Sequence, residues 1–190
     1  MDSPGEIEVY IPIQTLDPKA VVISSPVSIY PMKLPVASLS YKTPIYTIPR
    51  LNIFTKGLTV HSWDPAKFRL ELTDNDGFAA LIELQETLIA FIAQHPEWSG
   101  CNKLSVEEVR IKFQPIISKN LLTLYINLNS SDKITIHSKD SSKKGVSHES
   151  FHQGQQIRVA LNFQGLLFLK NSQGSLFYRL QHQIMAMYVL

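Results

Sequence analysis

Hydrophobic and polar residues alternate with a period of two through most of the second half of the chain. The pattern is clearest in GSLFYRLQHQI, Gly174 to Ile184, which puts Leu176, Tyr178, Leu180, His182 and Ile184 on one face. Phe177, Arg179, Gln181 and Gln183 fall on the other. Such alternation predicts a half-buried strand, and it recurs upstream. EVRIKF places Val109, Ile111 and Phe113 inward, with Arg110 and Lys112 outward. LLTLYINL places Leu122, Leu124, Ile126 and Leu128 inward, with Thr123, Tyr125 and Asn127 outward. KITIH turns Ile134 and Ile136 inward and Lys133, Thr135 and His137 outward, and QQIRVALNF does the same with Ile157, Val159, Leu161 and Phe163 against Arg158, Ala160 and Asn162. Gly165 breaks that run before LLFLKN, and NSQG turns the chain into the last strand.

Upstream the period changes. LTVHSWDPAKFRLELT, Leu58 to Thr73, reads as two strands around a turn at Asp64-Pro65. From Asp76, a capping residue by type, Phe78, Leu81, Ile82, Leu88, Ile89 and Ile92 follow helical spacing, with Gln85 the one lapse and Pro96 the stop. The polar SKDSSKKGVSHES, 138–150, reads as a mobile loop. Eight of the eleven prolines precede residue 50 and interrupt short β-branched pieces, which predicts extended chain and edge strands. The expectation is a mainly β protein with one principal helix: a Pro-rich extended arm over 1–57, and a β-barrel domain over 58–190 that includes helix 76–94. Six short strands with turn signals about every eight to twelve residues suit a small barrel or a sandwich.

Composition sharpens the picture in two places. One cysteine, Cys101, leaves no internal disulfide and no cysteine-rich zinc site. With no signal-peptide layout at the start and no apolar run long enough for a membrane span, an intracellular, reducing compartment is expected and no membrane partner. Net charge is +2, but residues 1–100 hold seven Lys/Arg against eleven Asp/Glu, whereas residues 101–190 hold eleven against five. A basic second half points to a polyanion, unless the excess is ordinary surface variation.

The outward residues decide between these. Arg110, Lys112, Tyr125, Lys133, His137, Arg158, Phe177 and Arg179 combine cations with aromatic rings and include no carboxylate. Rings stack on bases at roughly 1–3 kcal/mol each, and Lys and Arg track phosphates. Lys143 and Lys144 in the 138–150 loop are placed to clamp a bound strand. The competing reading is that the arm covers this face, with Phe177 beneath it. Enzyme signatures are lacking: the chain has no phosphate-binding glycine loop, no HExxH and no GxSxG. Only His148 and His152 of the six histidines are four apart, in the polar loop. Neither a catalytic residue nor a metal or cofactor is expected.

The block FHQGQQIRVALNFQGLLFLKNSQGSLFYRLQHQI, Phe151 to Ile184, resembles the C-terminal part of single-stranded-DNA-binding proteins of large nucleocytoplasmic DNA viruses. The shared features are Gly154, Ile157 and Arg158, then GLLFL, then Arg179 and Gln183. The resemblance covers about a fifth of the chain and implies an OB-like barrel that coats single-stranded DNA in viral replication or recombination, in host cytoplasm or nucleus. RNA is the alternative strand. The proline-rich beginning has no counterpart in that pattern, and no acidic C-terminal tail is present. The alternative function is a structural β-sandwich subunit of a capsid or other assembly, joined to its neighbours through the arm as a homo-oligomer.

Overall fold

Most of the alternating second half folds as β-structure, and the proline-rich first third contributes seven short strands. The computed structural model describes residues 8–29, 34–126, 134–138, 141–147 and 150–190. The first third supplies β1 (Ile11–Pro12), β2 (Val21–Ile23), β3 (Val27–Ile29), β4 (Leu34–Ala37), β5 (Leu39–Lys42), β6 (Thr47–Ile48) and β7 (Leu51–Phe54). The hairpin predicted around Asp64-Pro65 is present as β8 (Leu58–Asp64) and β9 (Arg69–Thr73), followed by α1 (Ala79–Gln94) and α2 (Val106–Lys112). Then come β10 (Phe113–Gln114), β11 (Ile117–Ser118), β12 (Leu121–Tyr125), β13 (Thr135–His137), β14 (Ser142–Lys144), β15 (Gln156–Lys170) and β16 (Leu176–Val189).

The two long last strands organise the sheet. They pair antiparallel over their whole length, with bulges at Ala160/Leu161 and Phe163/Gly165. Along its other edge β15 takes β8, β7 and β4 in turn. The free edge of β16 takes β10 at Phe113↔Tyr178 and β13 at Thr135↔Ala186, both parallel. The main path is β11-β12-β9-β8-β15-β16-β13-β14, a mixed sheet that is not closed into a barrel among the described residues. β2, β5 and β6 make a separate small sheet.

Gly165 does not break the strand as its neighbours suggest. It sits at φ 154° inside β15, where a Cβ would lie 2.7 Å from Val36 Cγ1 and 2.8 Å from the Ala37 carbonyl oxygen. The absent side chain is what lets β4 approach the bulge.

One face of the sheet is covered by α1. Leu81, Leu84, Leu88 and Ile92 on its stripe are fully buried. Gln85, the polar lapse, is buried with them, and its Oε1 accepts the backbone N–H groups of Ile116 and Ile117 at 2.7 and 3.0 Å. A carboxamide there satisfies two amides at the start of β11 that point away from its ladder with β12. No helix among the described residues is long and apolar enough to cross a membrane.

Several expectations need correction. EVRIKF is not a strand: Val106–Lys112 is α2, with a capping box in which Ser105 and Glu108 bond reciprocally. Ile111, read as inward, is 77% exposed. Asp76 does not cap α1, whose N-cap is Phe78 with no side-chain bond; it pairs with Lys56 instead. The 138–150 segment carries β14, paired with β13. Within residues 1–57, Ile11, Ile13, Leu16, Val36, Leu39, Leu51 and Ile53 are buried, and β7 pairs directly with β15.

Candidate nucleic-acid interface

The alternation read in the last strand survives in the fold. Ladder partners stand on the same side of a sheet. Tyr178, Leu180 and His182 lie opposite Phe168, Leu166 and Phe163 on the core side. Phe177, Arg179, Gln183 and Tyr188 lie opposite Leu169, Leu167, Asn162 and Arg158 on the outer side. The paired bulges keep both strands in phase, so one outer face runs the length of β16. From Arg179 to Tyr188 it extends roughly 30 Å at the usual rise of a strand.

At the start of β16, the Arg179 guanidinium lies over the Tyr125 ring, with Cζ 5.6 Å from its centroid. Tyr125 ends β12 and is 48% exposed, so Arg179 holds the ring without covering it. Gln114 stands opposite Arg179 on β10, and Phe177 follows two residues away on the same face. Tyr125, Arg179 and Gln114 border a cavity of about 770 Å³, to which Lys67, Phe68 and His182 also contribute, whereas Phe177 is not part of its lining. No carboxylate lines it among the described residues. Lys67 is held only loosely, 3.8 Å from Asp64. Phe68 sits in the left-handed region at φ 48° and meets Trp63 edge-on; a ring in that conformation is a strained backbone of the kind concentrated at functional sites.

His182 forms the floor. Its Nε2 accepts the Tyr125 backbone N–H at 3.2 Å, which places the ring proton on Nδ1, a buried atom without a well-formed hydrogen bond among the described residues. Burial, and then the nearby Arg179 charge, push its pKa down to about 4, against a smaller upward pull from the Leu180 backbone. The imidazole is therefore neutral at pH 7, and the cavity's positive charge comes from Lys67 and Arg179.

A second cluster lies at the far end of the outer face. Arg158, Tyr188, His137 and Ser142 form one register row across β15, β16, β13 and β14. The His137 and Tyr188 rings stack at 4.7 Å, and Phe54 meets Tyr188 edge-on at 5.4 Å. Lys144 stands opposite Thr135 in the neighbouring row, while Lys143 stands opposite Ile136 on the other side. Both lysines are exposed on the edge strand.

The predicted residues thus divide. Tyr125 and Arg179 come together at one end, with Phe177 two residues before Arg179 on the same face, and Arg158 and Lys144 share the other. Lys112 closes α2 immediately before β10. Arg110, expected on a strand face, projects from α2 and is clamped by Glu86 at 2.6 Å and Glu107 at 2.8 Å. Lys133 lies outside the described residues. Lys67, Gln114 and His182 escaped the sequence reading. A histidine on the apolar side of the last strand was the one visible signal. Among the described residues no three His, Cys, Asp or Glu side chains are grouped to hold a metal ion. Comparison with protein-family models, curated proteins and solved structures finds no match for this chain.

Proposed function

We propose that this protein binds single-stranded nucleic acid along the outer face of β16, without catalysis. The observation that carries the reading is the Tyr125–Arg179 pair on a cavity that no carboxylate lines among the described residues. A base stacks on the exposed face of Tyr125, with Phe177 next to it, and the backbone phosphates follow Arg179, Lys67 and then Arg158 and Lys144. The curved, bulged β15–β16 pair serves as the binding wall of an OB-like arrangement, in which the sheet edge stays open at the cavity. Viral DNA replication or recombination is the setting that the resemblance of Phe151–Ile184 suggests. In an electrophoretic or anisotropy titration with a mixed-sequence single strand, Phe177→Ala with Arg179→Ala weakens binding at least tenfold while the melting curve stays cooperative. Unchanged affinity in that double variant removes the assignment.

A second reading, a subunit of a larger assembly, is favoured by one observation. Val9, Val22, Val27, Ile45 and Tyr46 are all exposed in the first third, with Ile45 at 91%. Deleting this region cannot test it, because the same segment supplies buried core residues. Ile45→Ser with Tyr46→Ser is the cleaner probe: dissociation of an oligomer in sedimentation velocity supports the assembly reading, and an unaltered monomer rejects it.

A further inference from the structure

Between its two cationic ends the outer face changes character. Asn52, Asn162 and Gln183 form a register row across β7, β15 and β16. Asn162 Nδ2 donates to Asn52 Oδ1, and Gln164 Nε2 donates to Gln183 Oε1 at 2.7 Å. Asn162, Gln164 and Gln183 line a cavity of about 470 Å³, with Arg50 and Glu8 at its rim. Glu8 is oriented by the Tyr10 hydroxyl, which donates to its Oε2 at 2.7 Å. A carboxamide has two donor hydrogens and two lone pairs, so each mutual bond leaves further donors and acceptors on both partners.

A phosphate path needs cations, and three neutral amides in its middle do nothing for it. Base edges need donors beside acceptors, and that is what amides offer. We propose that this row, with Glu8 beside it, reads the edges of bases and selects those bearing an exocyclic amino group, adenine and cytosine among them, over thymine. The inference rests on the strand-binding reading above. Adenine and cytosine place an amino donor beside a ring-nitrogen acceptor, which one carboxamide matches with two bonds; it matches the thymine O4 and N3–H equally well, so the amides supply the edge contacts and Glu8 supplies the choice. Glu8, an acceptor only, receives a further amino hydrogen but repels the carbonyl oxygens that flank the thymine N–H.

The test is fluorescence anisotropy with labelled dA, dC and dT oligomers of about 12 nucleotides, within the range one such domain covers. With the native protein, dA and dC bind about fivefold or more tighter than dT, the low end for discrimination at a base edge. Glu8→Gln, whose carboxamide serves carbonyl oxygens as well as amino groups, brings the ratio below about twofold, whereas Gln164→Met with Gln183→Met weakens all three oligomers. Gln164 is exposed and Gln183 half-buried, so methionine fits both; Gln164→Met alone is the fallback if the pair melts early. Equal affinities for the three oligomers overturn the proposal, as do a preference that persists in Glu8→Gln and an affinity unchanged in the Gln→Met pair, since the row then only ties β7 to the sheet. No binding to any oligomer removes the strand reading itself, and this one with it.

Discussion

Salt dependence gives the sharpest quantitative handle on the binding face. Each phosphate neutralised on a single strand releases condensed counterions, so log K falls with log salt by about 0.7 per contact. The outer face offers Arg179 and Lys67 at one end and Arg158 and Lys144 at the other, which sets the slope near −3. Raising salt from about 50 to about 200 mM then weakens binding by roughly 60-fold. Arg179→Ala removes one contact and brings the slope near −2, while Arg110→Ala leaves it unchanged. That contrast comes from geometry: both arginines looked alike in sequence, but Arg110 is already neutralised by Glu86 and Glu107. The assay is anisotropy of a labelled single strand at four salt concentrations, with both variants alongside. A native slope shallower than −1, or equal losses from Arg179→Ala and Arg110→Ala, refutes the assignment of the path.

Three stability predictions probe the frame that holds this face. Gly165→Ala forces a Cβ into the β4 backbone and destabilises the protein by about 3 kcal/mol, read as a drop of roughly 6–12 °C in the melting midpoint. Gln85→Leu leaves the Ile116 and Ile117 amides without their acceptor, and urea denaturation registers a loss of about 2–4 kcal/mol. His182 is held down to about pKa 4 in the fold and returns to an ordinary value of about 6.5 when unfolded. The unfolded chain therefore binds more protons between those values. Its contribution is complete above pH 6.5 and drains away toward pH 4, by about 3 kcal/mol in all. Denaturation curves for the native protein and His182→Gln at pH 7 and pH 5 isolate it: the native protein loses about 2 kcal/mol more than the variant.

What could be read in the sequence follows from how local each signal is. The β8–β9 hairpin, the α1 stripe and the two faces of β16 are short-range patterns, and each is present, though Ile82 of the stripe is 43% exposed and α1 starts at Ala79. α2 was misread because Val-Arg-Ile-Lys alternates by chance, while the Ser105-x-x-Glu108 pair just before it is a helix-start signature and the better guide. Gly165 looked like a stop because a single glycine in a strand marks either an end or a close approach, and only the position of β4 tells which. The site itself joins residues far apart in the chain. Tyr125 and Arg179 meet because β10 enters the edge of β16 in parallel, a pairing that no turn signal announces. The neutral state of His182 likewise depends on burial that only the assembled fold creates.

The open sheet and the candidate site are two views of one feature. Along the edge of β16, β10 ends its pairing at Arg179 and β13 begins at Ala186. Within that gap the Tyr125 N–H, at the end of β12, is met by the His182 side chain where a closed barrel would offer a strand carbonyl. An imidazole is wider than a backbone hydrogen bond, so it holds the end of β12 away from β16 and leaves the cavity between them. A charged imidazole could not accept that N–H, since both of its nitrogens would carry protons. The depressed pKa and the open edge therefore require each other: the neutral ring props the cleft, and the cleft wall of packed side chains keeps the ring neutral. On this argument the cavity exists because the sheet, among the described residues, stops one side chain short of closing, and Arg179 brings its charge over Tyr125 at that same break.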